Sequence, residues 1–209
     1  MKYKKYFRKT SLKQPDDASF FLSLIKEKKP KFFLEIGVFH GVTSRNVCEL
    51  LNSIHEGNFH YIGIDLFEVN DENKYEVIPN TRFLNPFKNF YFRYIKKQNP
   101  YSLKAVEELL KKFKKNVQLI KGNSNKILKQ IDLSKINFAF LDGGHDYLTV
   151  KKDLFYLNEI LETGGTILCD DYNLSNAPGV KKAIDEIVRE KKLKCEFYCN
   201  YRFAKLEKK

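Results

Sequence analysis

Residues Lys31 to Ser44 read K-F-F-L-E-I-G-V-F-H-G-V-T-S, and how this string is parsed decides the fold. Phe32, Phe33, Leu34 and Ile36 form a short, nearly unbroken apolar run, the pattern of a strand buried on both faces. Glu35 interrupts the run near its end. Gly37 and Gly41 then bracket a turn where the backbone must bend tightly or let a ligand approach, because glycine has no Cβ. Thr43 or Ser44 can cap the helix that follows. Strand, ligand loop and helix N-terminus therefore come in that order. The spacing is not the G-x-G-x-x-G of a dinucleotide fold, and no P-loop lysine is present to cradle a triphosphate.

Working outward, the same alternation of strand and helix recurs. Upstream, Asp16 and Asp17 precede a helical pattern of Phe20, Phe21, Leu24 and Ile25 that Pro30 stops. Downstream, Val47, Leu50, Leu51 and Ile54 mark a helix, and 59–66 is a second apolar strand closing on Asp65. A third strand is expected at 117–121, a fourth at 136–141 and a fifth at 166–169, with helices over 102–115, 124–130, about 150–161 and 180–190. The chain ends in a hairpin pattern, 193–199 with 201–206 around Asn200. This predicts an α/β protein: a three-layer, doubly wound, mostly parallel sheet with a C-terminal antiparallel hairpin, the Rossmann-like arrangement. The reading has one domain, 1–209, with a basic N-terminal arm at 1–15.

The pattern breaks once, at about 67–100. The segment holds Pro79, Pro86 and Pro100, and F87-K-N-F-Y-F-R-Y-I-K-K is the densest aromatic and basic stretch of the chain. An insertion of this length in a compact domain generally has a task, and it starts at a strand's carboxyl end, where such sheets bind ligands. A lid or substrate wall is expected, with a homodimer contact or an extra packed helix as alternatives.

Composition narrows the class. A hydrophobic fraction of 43% with 31% charged residues excludes a disordered chain. The net charge of +12 comes from lysines spread along the chain, which fits either an anionic partner or a well-solvated surface. Cys48, Cys169, Cys195 and Cys199 lack paired C-x-x-C spacing and read as reduced, small hydrophobes. No apolar run approaches the roughly 20 residues of a membrane span, and none follows the basic start as a signal segment would. A soluble, cytoplasmic protein with no membrane partner is expected.

Four strands end in carboxylates: Glu35, Asp65, Asp142, and Asp170 with Asp171. In an open parallel sheet these ends share one edge. At the second strand, an aspartate can accept both hydroxyls of a ribose. Taken together, E35-I-G-V-F-H-G-V-T, Asp65 after Y-I-G-I, G122-N-S, L141-D-G-G-H-D-Y and G164-G-T-I-L-C-D-D resemble the class I S-adenosylmethionine-dependent methyltransferases. Within them the resemblance is to the small-molecule O-methyltransferase branch that includes the macrocin and cephalosporin-pathway enzymes.

The resemblance implies S-adenosylmethionine as cofactor, with Glu35 and the loop from Gly37 through Gly41 to Thr43 against its methionine part. It also implies Asp65 on the ribose, Asn123 and Ser124 along the adenine, and Asp142 beside the cofactor. Asp142, Asp170 and Asp171 match the family's Mg²⁺ ligands, and converging carboxylates are commonly neutralised by a hard divalent cation. His145, with an ordinary pKa near neutrality, is the candidate general base, or else a residue that orders the site through Asp171 or Tyr172. The function so implied is Mg-assisted methyl transfer to a hydroxyl of a small molecule, a sugar or glycosylated metabolite included. A nucleic-acid methyltransferase is the alternative suggested by the charge and by 87–97, although no N-P-P-Y type motif follows the fourth strand. A non-catalytic cofactor-binding or assembly protein is the third reading.

Overall fold

The computed structural model describes residues 1–67 and 83–208. In chain order its elements are helix α1 (Pro15–Lys28), strand β1 (Phe32–Ile36), α2 (Val42–His55), β2 (His60–Asp65), α3 (Pro86–Phe90), α4 (Leu103–Leu110) and β3 (Val117–Lys121). Then come α5 (Ser124–Ile127), β4 (Phe138–Leu141), α6 (Tyr147–Ile160), β5 (Thr166–Cys169), α7 (Pro178–Lys191), β6 (Lys194–Tyr198) and β7 (Phe203–Glu207). The seven strands form one sheet in the order β3-β2-β1-β4-β5-β7-β6. The first five are parallel, and β7 runs antiparallel to both β5 and β6. The doubly wound sheet with its terminal hairpin is the one the sequence predicts.

Apolar strands this dense make sense because both faces are covered. Phe33, Phe138, Phe140 and Leu168 share one core with Phe21 and Ile25 of α1, Val47 and Leu51 of α2, and Val106 of α4. Their neighbours Leu34, Ile36, Ala139, Leu141, Ile167 and Cys169 point the other way, into a core shared with Leu154 of α6 and Ile184 of α7. Period-2 alternation thus feeds two separate cores. Strand order reverses between β1 and β4, which are paired with Glu35 opposite Phe140, and that reversal opens a crevice above their carboxyl ends.

One local expectation changes. Neither Thr43 nor Ser44 caps α2; Gly41, at φ 72°, does, and both hydroxyl residues lie inside the first turn. The glycine is required by packing, since a Cβ there would sit 2.7 Å from Cγ1 of Val106. The basic arm is ordered. Tyr3 Oη lies 2.7 Å from Thr10 Oγ1 and 2.9 Å from Thr43 Oγ1, the Lys4 amide donates to Asn46 Oδ1 at 2.9 Å, and Leu12 is fully buried.

Of the insertion at 67–100, residues 68–82 lie outside the described residues. Beyond them, Asn85 caps α3 through the amides of Phe87 and Lys88, and a single π-helical turn, Tyr91–Ile95, follows. Phe83 and Phe92 stack at 5.3 Å and are buried, whereas Phe87, Phe90, Tyr94 and Ile95 are exposed. The cysteines are free thiols, and no helix among the described residues is long and apolar enough to cross a membrane.

Candidate active site

A cavity of about 830 Å³ opens above the carboxyl ends of β1, β2 and β4. Three layers of sequence meet in its wall. The β1 loop contributes Gly37, Phe39 and Thr43. The ends of β2 and β3 contribute Asp65, Asn123 and Ser124, and the turn after β4 contributes Asp142 and His145, with Asp171 following β5. Gly37 is there by necessity: its φ is 96°, and a Cβ would lie 2.1 Å from the carbonyl oxygen of Asp142. The β1 loop is therefore seated directly on the β4 turn.

Asp65 is fixed by its surroundings. Its Oδ2 accepts the Phe39 amide at 2.7 Å, and its Oδ1 accepts the Phe67 amide at 3.0 Å and the Tyr101 hydroxyl at 2.7 Å. A carboxylate offers about four acceptor positions, so a diol reaching Asp65 takes the last of them and competes with Tyr101. At the end of β3, Asn123 caps α5 through the Asn125 amide, and Ser124 donates to Oδ2 of Asp153 at 2.8 Å. Asn125 donates to the other oxygen of Asp153 at 2.6 Å. Asp153 is fully buried and ties α6 to this loop, a structural task.

Glu35 does not line the cavity. It is fully buried beneath the loop, where Tyr61 donates to its Oε2 and Oε1 has no partner among the described residues. Burial pushes its carboxyl up to about 8, with the nearby Asp65 charge adding to the rise and the Tyr61 hydrogen bond opposing it. At neutral pH Glu35 is thus mostly protonated. His40 is also packing: fully buried, stacked on Phe39 at 4.1 Å, and held neutral because burial, with Arg8 and Lys9 nearby, lowers it to about 3.

The acidic group after β4 and β5 converges on a much smaller cavity lined by Asp142, His145, Asp170 and Asp171. Burial and the charges of Asp170 and Asp171 push the Asp142 carboxyl well above its ordinary range, and Ser11 of the arm donates to its Oδ2 at 2.8 Å. The His145 Nε2 lies 3.1 Å from Oδ2 of Asp171, whose backbone is left-handed at φ 60°. Tyr147 and Tyr172 line neither cavity and instead donate to Glu186 and Asp185 of α7.

The magnesium expectation meets a specific obstacle. Arg202 donates from Nε to Oδ1 of Asp170 and from Nη2 to its Oδ2, both at 2.7 Å, while Nη1 reaches Asp17 at 2.7 Å. Burial works against the Arg202 charge, but the pair with Asp170 outweighs it and raises the guanidinium pKa. Both oxygens of Asp170 are therefore taken, and among the described residues no three His, Cys, Asp or Glu side chains converge as metal ligands. As arranged, Asp142, Asp170 and Asp171 do not fit a metal centre. The balancing cation at Asp170 is a guanidinium.

From the 67–100 insertion, where a lid or substrate wall is one expectation, Phe83, Leu84, Asn85 and Lys88 line the cavity, whereas Lys5, Arg8, Lys9, Thr10, Ser11 and Lys13 of the arm and Tyr101 were not anticipated from the sequence. The arm's only sequence signal was K-T-S at 9–11, two small hydroxyl residues within a basic run.

With this geometry in hand, the chain can be placed. The methyltransferase-domain family matches residues 34–172, two thirds of the sequence, and the chain belongs to that family: it is a methyltransferase. Among curated proteins, none matches it in sequence. Solved structures share the fold at low identity. NovP, an O-methyltransferase, is 15% identical with a TM-score of 0.65, covering 90% of this chain and 76% of its own. CalS11, a TDP-rhamnose 3'-O-methyltransferase of calicheamicin biosynthesis, is 14% identical with a TM-score of 0.62 over 90% and 77%. The Podospora anserina methyltransferase PaMTH1, solved with S-adenosylhomocysteine, is 16% identical with a TM-score of 0.63 over 91% and 77%.

Proposed function

We propose that the protein transfers the methyl group of S-adenosylmethionine to a hydroxyl oxygen of a small molecule, with an O-linked sugar or glycosylated metabolite as the favoured acceptor. One observation carries this reading: a single cavity has a fixed carboxylate, Asp65, on one wall and the His145–Asp171 pair on another. The similarity to NovP, an O-methyltransferase, and to CalS11, a TDP-rhamnose 3'-O-methyltransferase, supports an oxygen acceptor, and CalS11 a sugar. They favour the small-molecule branch over a nucleic-acid substrate.

The residues present fit the cofactor. Asp65 has an acceptor position left for a ribose hydroxyl, Asn123 and Ser124 line the cavity where they would border the adenine, and Gly37 lets the β1 loop seat directly on the β4 turn. When bound, S-adenosylmethionine supplies an electrophilic methyl group on a sulfonium. The chain's own part is to align the acceptor oxygen with that carbon and to remove its proton. His145 would take the proton of an acceptor hydroxyl aligned with that methyl group, leaving S-adenosylhomocysteine as the other product. Asp171 orients the imidazole through the 3.1 Å contact with its Nε2. Magnesium assistance is left out of this reading, because Arg202 occupies the Asp170 oxygens that a metal would need.

The test pairs binding with turnover. S-adenosylhomocysteine should bind the wild-type protein in a calorimeter and bind Asp65→Ala far more weakly. Radiolabelled S-adenosylmethionine offered with a panel of sugars, nucleotide-linked sugars and glycosylated metabolites should label at least one acceptor at oxygen. Labelling confined to added RNA, or no cofactor binding, would overturn the proposal.

A further inference from the structure

Among the described residues, the cavity wall carries more basic than acidic side chains. Its acidic side chains, Asp65, Asp142 and Asp171, are each already engaged by hydrogen-bond donors of the protein. Its basic side chains, Lys5, Arg8, Lys9, Lys13 and Lys88, come from the arm and from α3. Two of these are held in place by neutral partners. Arg8 spends its guanidinium on the carbonyls of Pro100 at 3.0 Å, Ala105 at 2.9 Å and His40 at 3.4 Å. The Lys88 ammonium lies 4.5 Å from the centre of the Phe7 ring and 5.6 Å from that of Phe83. Neutral partners position a cation without cancelling its charge, and among the described residues the wall carries five basic side chains against three acidic ones.

The arm also brings this charge to the reacting end. Ser11 is bonded to Asp142, and the Lys13 amide turns back onto the Ser11 carbonyl at 2.8 Å, so Lys13 lines the same cavity two residues from a side chain that touches the β4 turn. A sulfonium cofactor adds further positive charge. Nothing neutral gains from such a wall, whereas a phosphate-bearing acceptor does.

We infer that the acceptor carries a phosphate or diphosphate group, held across the cavity mouth by Lys13 of the arm and Lys88 of α3 while its hydroxyl faces His145. The inference rests on the methyl-transfer reading for the orientation of the substrate, and it makes the arm a specificity element.

Inorganic pyrophosphate is the probe, titrated calorimetrically into protein saturated with S-adenosylhomocysteine. Binding is expected, and the double charge reversal K13E/K88E should weaken it by about tenfold or more. The same variant should bind S-adenosylhomocysteine within about threefold of wild type, which also shows that it folds; K13A/K88A should fall in between. A control reversal of two exposed lysines outside the cavity, K26E/K152E, should leave pyrophosphate binding unchanged. The inference is overturned if the control weakens binding as much as K13E/K88E does, since that is the effect of net charge alone. It is also overturned if pyrophosphate competes with S-adenosylhomocysteine, which would assign these lysines to the cofactor's carboxylate, or if pyrophosphate does not bind. Failure of S-adenosylhomocysteine to bind would instead sink the methyl-transfer reading. Pyrophosphate binding to the cofactor-free protein, with the same dependence on Lys13 and Lys88, would then still uphold the anion site.

Discussion

The cavity has two kinds of wall, and they are held in place differently. One is made of strand ends: Asp65 closes β2, and Asp142 and Asp171 follow β4 and β5, so strand register sets where each carboxylate stands. The other is laid over it by the arm and by the segment from Phe83 to Tyr101, and depends on a few hydrogen bonds and ring contacts. Backbone pairing makes the first wall rigid and fixes where its carboxylates stand. The second carries charge and shape, features that can vary without disturbing the sheet.

The largest expected effect tests whether the strand-end wall does the chemistry. His145→Gln should lower kcat by about 10²–10⁴-fold, the usual range for a general base, with S-adenosylhomocysteine affinity unchanged. If kcat falls less than about tenfold, His145 only orders Asp171, and the chemical role moves elsewhere on the wall.

Arg202→Ala should be the next largest, as a loss of stability. Removing one partner of a buried ion pair leaves Asp170 uncompensated, at a cost of about 3–5 kcal/mol, seen as a lower urea midpoint. Asp170 is 2% exposed, so solvent screens its charge little. A change below about 1 kcal/mol would mean that Asp170 is neutralised by something other than this guanidinium.

Glu35 gives a pH signature of the buried layer beneath the loop. Its folded pKa, about 8, is raised above the ordinary 4.5, so the favourable difference is complete below pH 4.5 and is lost as pH rises to 8. Wild type should therefore lose stability between pH 5 and pH 8, by roughly 1.4 kcal/mol for each unit of the shift at most. Glu35→Gln should flatten that slope in urea titrations at the two pH values. An unchanged slope would show that Glu35 is ionised when folded.

The smallest expected effect is that of chelation. With Asp170 paired to Arg202, turnover after EDTA treatment should stay within about twofold of the untreated enzyme. A large loss restored by Mg²⁺ would break the comparison, because Asp170 would then have to leave Arg202 and the strand-end wall would be remade on binding.

The sheet was legible because its signal is local: apolar runs bounded by glycine and carboxylates mark each strand, and Phe33 or Leu34 can be assigned to a buried strand from its neighbours alone. The cap of α2 was misread for a non-local reason. Thr43 and Ser44 are good capping residues, yet Gly41 takes the position because Val106, more than sixty residues away, leaves no room for a Cβ there. The acidic trio shows the same limit. Three carboxylates at strand ends suggest a cation, but the sequence cannot say that the cation at Asp170 comes from Arg202 on the turn before β7.

By itself, then, the order of residues determined a doubly wound sheet, the edge on which its polar ends gather, and membership of a methyltransferase class, since strand pattern and motif order are properties of contiguous residues. Only the tertiary structure decided that Glu35 lies under the loop, that Arg202 binds Asp170, and that a basic arm closes the cavity. Those outcomes depend on contacts such as Ser11 with Asp142, 131 residues apart, which arise only once both cores have packed and brought distant segments together.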